Sequence, residues 1–400
     1  MSVSATLNGR APWLKLAICA AGVMALGALA GPACAGEAAM DVTVEYTADV
    51  MAVAEGGVDR GVNCLDNIDF TAEIDLEKAM SWPGASLTLR LLGNAGDHPN
   101  DSAGAISGVD NIETGGPAIR LYEAAIEQAF GDNFSLRAGL IDLNSDFYVT
   151  ASSAQLLGPA YGIGNEIAAT GAAGPSIFPS TALAARLNAK FGENGYIRFG
   201  VFNARAGDPG DDGGVDFSFD SGLILIAEAG WGGPTRLAAG AWRYTQQQDD
   251  IRDTDGLGNP LRRTAQGFYV LGEQRVFGDG EGRTGTAFVR YGASEGKTTP
   301  FNSTFTAGLQ VTSVWGSRPD SAFSIGFQRN DLSRGFVLNQ IGAGVNSGDS
   351  ETIIEATYSD TLFSRITLQP DVQYITHPGA DRDADGELLV GLRLTVALVP

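Results

Sequence analysis

Ile68-Asp69-Phe70-Thr71-Ala72-Glu73-Ile74-Asp75-Leu76-Glu77 alternates an apolar with a polar, mostly acidic, side chain at every step. Successive side chains of a strand point to opposite faces, so this stretch makes one greasy face and one charged face. The same period recurs along the chain. Leu87, Leu89 and Leu91 alternate with Thr88 and Arg90, and Phe134, Leu136, Ala138 and Leu140 with Ser135 and Arg137. Phe305 to Val311, Phe323 to Phe327 and Leu388 to Leu398 repeat it. Between 42 and 398 the chain reads as about sixteen such segments. Strands with an apolar outer face survive in lipid only if every backbone donor and acceptor is paired, which requires closure on themselves. The polar face then surrounds water, and sixteen strands leave room for an aqueous channel. The expected fold is all-β: a transmembrane antiparallel β-barrel of about 16 strands.

The connections support closure. Short connectors fall at 78–84, 131–133, 192–195, 231–234, 278–282, 316–320 and 359–364, and long polar stretches at 93–118, 143–181, 204–219, 244–265 and 331–349. Two segments, 119–130 and 181–191, have enough Ala, Leu, Glu and Lys to suit a helix, but each ends at a tight turn and precedes a clear strand. Both are expected to be strands. Pro370 removes a ladder donor inside a strand, where a bulge is expected. An even strand number places both termini beside the short turns, the periplasmic rim, with the long loops outside. The longest connection, 143–181, exceeds a simple crossing between neighbours and is expected to fold inward and narrow the lumen.

Composition narrows the class further. Only 18% of residues are charged, Gly is abundant at 54, and beyond the N-terminus no apolar run is long enough for a membrane-spanning helix. Residues 1–35 read as a signal peptide: Arg10 and Lys15 precede the apolar run 16–30, and Ala33-Cys34-Ala35 supplies small residues around a cleavage site. The barrel domain is then 36–400. Cleavage would leave Cys64 as the single cysteine, which makes no internal disulfide, and a net charge of −23 once Arg10 and Lys15 are removed from −21. Such acidity disfavours nucleic acid as a partner. It suits a surface bridged by divalent cations to anionic lipid headgroups.

Three stretches resemble the carbohydrate-selective porin (OprB-like) family of Gram-negative outer membranes. They are Arg120-Leu121-Tyr122-Glu123 through Glu127-Gln128-Ala129-Phe130; Arg137-Ala138-Gly139-Leu140 leading to Asp146-Phe147; and Leu368-Gln369-Pro370-Asp371-Val372-Gln373-Tyr374-Ile375 continuing to Pro378-Gly379. Asp75-Leu76-Glu77-Lys78 and Gly391-Leu392-Arg393-Leu394 add to the likeness. It implies a sixteen-stranded outer-membrane pore that passes mono- and small oligosaccharides by diffusion, as a monomer or homotrimer, with no cofactor. The alternative is a general or anion-preferring porin for small hydrophiles. The chain departs from the outer-membrane pattern at Ala397-Leu398-Val399-Pro400, where an aromatic residue usually ends a barrel.

Selecting a neutral sugar needs forked donors, carboxylate acceptors and aromatic rings against its C–H faces. Strand parity and direction nominate Arg90, Glu123, Arg137, Arg186, Arg198, Gln369, Asp371 and Gln373 as inward candidates, together with Asp142 at the upper end of the fifth strand and Asp146 on the inward loop, with Tyr122 assigned to the lipid-facing parity beside Ile126. Trp242 and Tyr244, near the outer rim, are aromatic candidates for incoming sugar. Trp82, Trp231 and Trp315 sit at short turns, where an aromatic belt is the plain reading.

Other motifs carry less. Gly280-Glu281-Gly282-Arg283-Thr284-Gly285 matches GxGxxG, but a strand follows it and no helix N-terminus is there to hold a pyrophosphate. Asp381, Asp383 and Asp385 resemble the start of a calcium loop, yet Leu392 stands where the closing Glu belongs. These are weak Ca²⁺ candidates at most. His98 and His377 have neither a nucleophile motif nor metal-ligand spacing nearby, so no enzyme is expected.

Overall fold

The computed structural model describes residues 39–399 apart from 172 and 209. The signal-peptide expectation for 1–35 therefore lies outside the described residues. Among these, sixteen strands close into one antiparallel barrel. The first half comprises β1 (Met40–Glu55), β2 (Val62–Asp75), β3 (Ala85–Gly96), β4 (Ala118–Phe130), β5 (Phe134–Ile141), β6 (Ala182–Phe191), β7 (Gly195–Asn203), β8 (Leu223–Trp231) and β9 (Thr235–Tyr244). A hairpin outside the barrel, β10 (Gln248–Thr254) and β11 (Pro260–Arg263), follows. The barrel resumes with β12 (Gln266–Phe277), β13 (Thr284–Ser294), β14 (Phe301–Thr312), β15 (Ala322–Leu332), β16 (Ser350–Leu362), β17 (Ile366–Thr376) and β18 (Glu387–Val399). Strand β9 pairs with β12 past the hairpin, and β1 closes on β18.

Burial is inverted relative to a water-soluble sandwich. On β15, Phe323, Ile325 and Phe327 are exposed while Ser324, Gln328 and Asn330 are buried. On β17, Val372 and Tyr374 face out while Asp371 and Gln373 are covered. An apolar belt of this kind is stable only against hydrocarbon. Trp82, Trp231 and Trp315 are exposed beside the short turns, as are Phe130, Phe134, Phe191 and Phe277.

The loop rhythm holds with two exceptions, since the connections 56–61 and 295–300 on the long-loop rim are short. Both segments open to a helical reading are strands β4 and β6. The GxGxxG stretch lies in and just after the turn between β12 and β13. The hairpin β10–β11 was not apparent in the sequence because Ile251 is the lone apolar residue of Gln248–Thr254 and gives no alternation. It rests on a helix at Arg334–Gly342, where Arg252 Nη1 donates to Asn339 Oδ1 at 2.8 Å.

Two expectations need correction. Pro370 makes no bulge: the ladder with β16 skips it and resumes in the same register, Thr357 opposite Asp371 and Asp360 opposite Leu368. The missing donor costs one bond, not a register shift. A bulge that matters for the lumen lies instead in β4, where Arg90 pairs with Glu123 but Leu91 pairs with Leu121. Tyr122 is the extra residue, and the bulge turns it inward beside Glu123, off the lipid face.

Candidate functional site: the narrowed lumen

Loop 142–181 enters the barrel and is tied to the opposite wall by carboxylates that receive its backbone amides. Glu228 accepts from Tyr148 N at 2.9 Å, Glu273 from Ser152 N at 2.8 Å, and Glu355 from Gly158 N at 3.0 Å. Guanidiniums take its carbonyls in turn: Arg290 donates to Tyr148, Tyr161 and Gly162, Arg236 to Val149, and Arg198 to Asp146. An irregular segment at membrane depth needs this, because each unpaired backbone group there costs several kcal/mol. The connection 97–117 also leans inward, with Ile106 N and Ser107 N donating to Glu351 and Val109 O accepting from Gln373 at 2.8 Å.

Between these loops and the wall of β1–β4 and β18 remains a chamber of about 580 Å³. Its lining is polar and of mixed sign. Arg90 Nε donates to Asp69 at 2.8 Å, and its guanidinium lies 5.0 Å above the Tyr122 ring. Tyr122 donates its hydroxyl to Asp142 at 2.8 Å. Across the space Arg393 holds Asp49 at 2.6 Å and Asn111 at 2.7 Å. Asp110 lies 3.5 Å away, and burial next to Asp49 pushes its carboxyl up. Glu45, Asn67, Asn144, Asn165 and Gln369 complete the polar wall. Burial pushes the Asp142 carboxyl up to about 6, with Glu123 adding to the rise while the Tyr122 hydroxyl and Arg90 oppose it.

Of the residues nominated from sequence, Arg90, Asp142 and Gln369 border this chamber. The other seven inward candidates do not border it. Arg137 bridges Glu123 at 3.0 Å and Asp146 at 3.8 Å; Arg186 joins Asp146 at 3.0 Å to Glu127 at 3.1 Å. With Arg198, whose guanidinium sits 4.7 Å over the Tyr196 ring, they form a buried network that pins the first helix of the loop, Leu143–Asp146. Asp371 and Gln373 point inward, but the two loops cover them. Trp242 and Tyr244 are also corrected: they are buried in the apolar cluster under the loop, where Tyr244 shares a hydrogen bond with Thr170 at 2.9 Å. Asp381, Asp383 and Asp385 do not converge as ligands. Asp381 accepts the Asp383 amide, Asp383 accepts from Asn346, and among the described residues no group of three metal-ligating side chains forms.

Sequence reasoning missed Tyr122, Arg393, Glu45 and Asn111. Arg393 was visible as the polar member of Gly391-Leu392-Arg393-Leu394, whereas Tyr122 was hidden by the bulge.

A closed sixteen-stranded barrel, greasy outside and constricted by an inward loop, defines a porin. Residues 59–398 match the carbohydrate-selective porin, OprB family, and the chain belongs to that family. It is a carbohydrate-selective channel of the outer membrane. Porin B of Pseudomonas aeruginosa is 22% identical, with 90% of this chain and 87% of that protein covered. A putative porin QuiX of Acinetobacter baylyi is 19% identical over 88% of each. Among solved structures, the high-pH form of Pseudomonas putida OprB superposes with a TM-score of 0.80 at 21% identity, covering 90% of this chain and 94% of that one.

Proposed function

We propose that the channel passes neutral mono- and small oligosaccharides by passive diffusion, and that the chamber bounded by Arg90, Asp69, Tyr122, Asp142, Gln369 and Arg393 makes the selection. The carrying observation is that both guanidiniums facing this space are already paired with carboxylates, Arg90 with Asp69 and Arg393 with Asp49. Such pairs offer donors and acceptors to hydroxyls without presenting a free charge of one sign. Two cations, Arg90 and Arg393, stand against three carboxylates in the lining, Glu45, Asp69 and Asp142, which argues against a preference for anions. In this reading the long loops face outside and both termini face the periplasm. The barrel itself is then the whole transport device, and no catalytic step is required of it. Liposome swelling with glucose, sucrose and amino acids tests the reading. Sugars are expected to enter faster than amino acids of similar size, and Arg90→Ala to erase most of that difference. Equal rates for all three solutes in the unaltered protein would overturn it.

A further inference from the structure

A second cavity of about 490 Å³ lies on the long-loop side of the chamber, between the end of the inward loop and the connection 204–222. The two cavities share Ala168, Ile177 and Phe178 in their linings, so Phe178 stands between them. Each volume falls within the roughly 300–1,000 Å³ of small-molecule sites. The Phe178 ring lies 6.4 Å from that of Tyr122, inclined at 59°, which continues the aromatic wall from the inner chamber outward. The outer cavity has its own polar groups. Arg120 borders it while being only 6% exposed; one of its amino groups donates to Asn94 at 3.2 Å, but its Nε has no partner. A buried, unsatisfied N–H on a cation is costly unless something else completes it. Asp212 borders the same space and supplies an acceptor.

On the basis of the sugar reading above, we infer that the outer cavity is a second sugar subsite, in which Phe178 covers the C–H face of a hexose while Arg120 and Asp212 exchange hydrogen bonds with its hydroxyls. Solute is handed past Phe178 into the inner chamber. A linked disaccharide reaches both cavities at once and so binds more tightly than glucose. The experiment is single-channel recording in planar bilayers, with glucose or maltose added and the half-blocking concentration read for the unaltered protein, Phe178→Ala, Phe178→Trp and Asp212→Asn. Maltose is expected to block at lower concentration than glucose. Phe178→Ala should raise the maltose value by roughly three- to tenfold, the size of one lost aromatic contact, and Phe178→Trp should preserve it. Asp212→Asn should raise it by a smaller factor. Heat-resistant migration on a gel verifies that each variant is a folded barrel. If the unaltered channel is blocked by sugar but Phe178→Ala stays within twofold of it, the outer subsite is wrong and the sugar reading stands. If no sugar blocks the unaltered channel and swelling rates are equal for all solutes, the sugar reading itself falls.

Discussion

Asp142 is the titratable group that most directly couples the lumen to pH. It borders the chamber, accepts from Tyr122 at 2.8 Å, and ionises at about 6 because burial penalises its charge. A raised carboxyl is neutral below that value and anionic above it. Asp142 therefore adds negative charge to the chamber as pH rises from about 5 to about 7.5. The cation-over-anion permeability ratio, read from reversal potentials in a salt gradient, should fall as pH drops through about 6. Asp142→Asn should hold the low-pH ratio across that range; an unchanged pH profile in this variant would assign the step elsewhere. Arg90 could be found from sequence because strict alternation fixes which side of a regular strand a residue occupies; Asp142, just past the end of β5, could be found from its place at the start of the inward loop. Tyr122 could not, since one inserted residue reverses parity and alternation alone gives no sign of it. Arg137 and Arg186 were read correctly as inward and wrongly as water-lining. What covers them is an aperiodic loop, whose path no pattern in the chain records.

The inward loop shows how an element without regular structure is held. Its length and its place after β5 were legible, and both pointed inward; its attachments were not, because they depend on glutamates and arginines from β7 to β16 that lie 52 to 198 residues away. One attachment region is electrostatically unusual. Glu166, in the short helix Asn165–Ala168, is fully buried. Burial raises its carboxyl to about 7, while the nearby Thr304, Tyr148 and Arg290 pull the other way. The group is thus easier to accommodate neutral than charged. Its contribution to holding the loop is complete below the ordinary glutamate range and lost as pH rises through about 7. Limited proteolysis of the loop in detergent micelles should accelerate as pH rises from about 5 to about 7, level off above that, and change far less in Glu166→Gln. A second test addresses the buried ion network. Asp146→Asn removes the carboxylate shared by Arg186 and Arg137, while each keeps a second partner in Glu127 and Glu123, so a loss of about 1.5–3 kcal/mol is expected in urea unfolding. Asp146→Glu should lose less if the charge, not the shape, is what matters.

The inside-out distribution of side chains governs the whole molecule, and it was the part most fully written in the sequence, because most of the barrel strands repeat it in a two-residue period. The same distribution makes opposite demands on substitution from those of a soluble protein. Phe327 sits in the middle of β15, is exposed, and meets Phe305 of β14 at 6.2 Å between ring centroids. In water an exposed Phe→Arg exchange is close to neutral and often helps solubility. In a bilayer the guanidinium must be dragged toward hydrocarbon, at roughly 2–4 kcal/mol near the midplane and less toward either interface. Phe327→Arg should therefore destabilise the barrel by about 2–4 kcal/mol when unfolding is followed in lipid vesicles. Phe323→Arg, four residues nearer the short-turn rim, should cost less. Neither residue borders the lumen, so conductance and sugar passage through the folded fraction should be unchanged. A Phe327→Arg barrel as stable in vesicles as the original would mean that this face does not meet lipid, and the assignment of the lumen would fall with it.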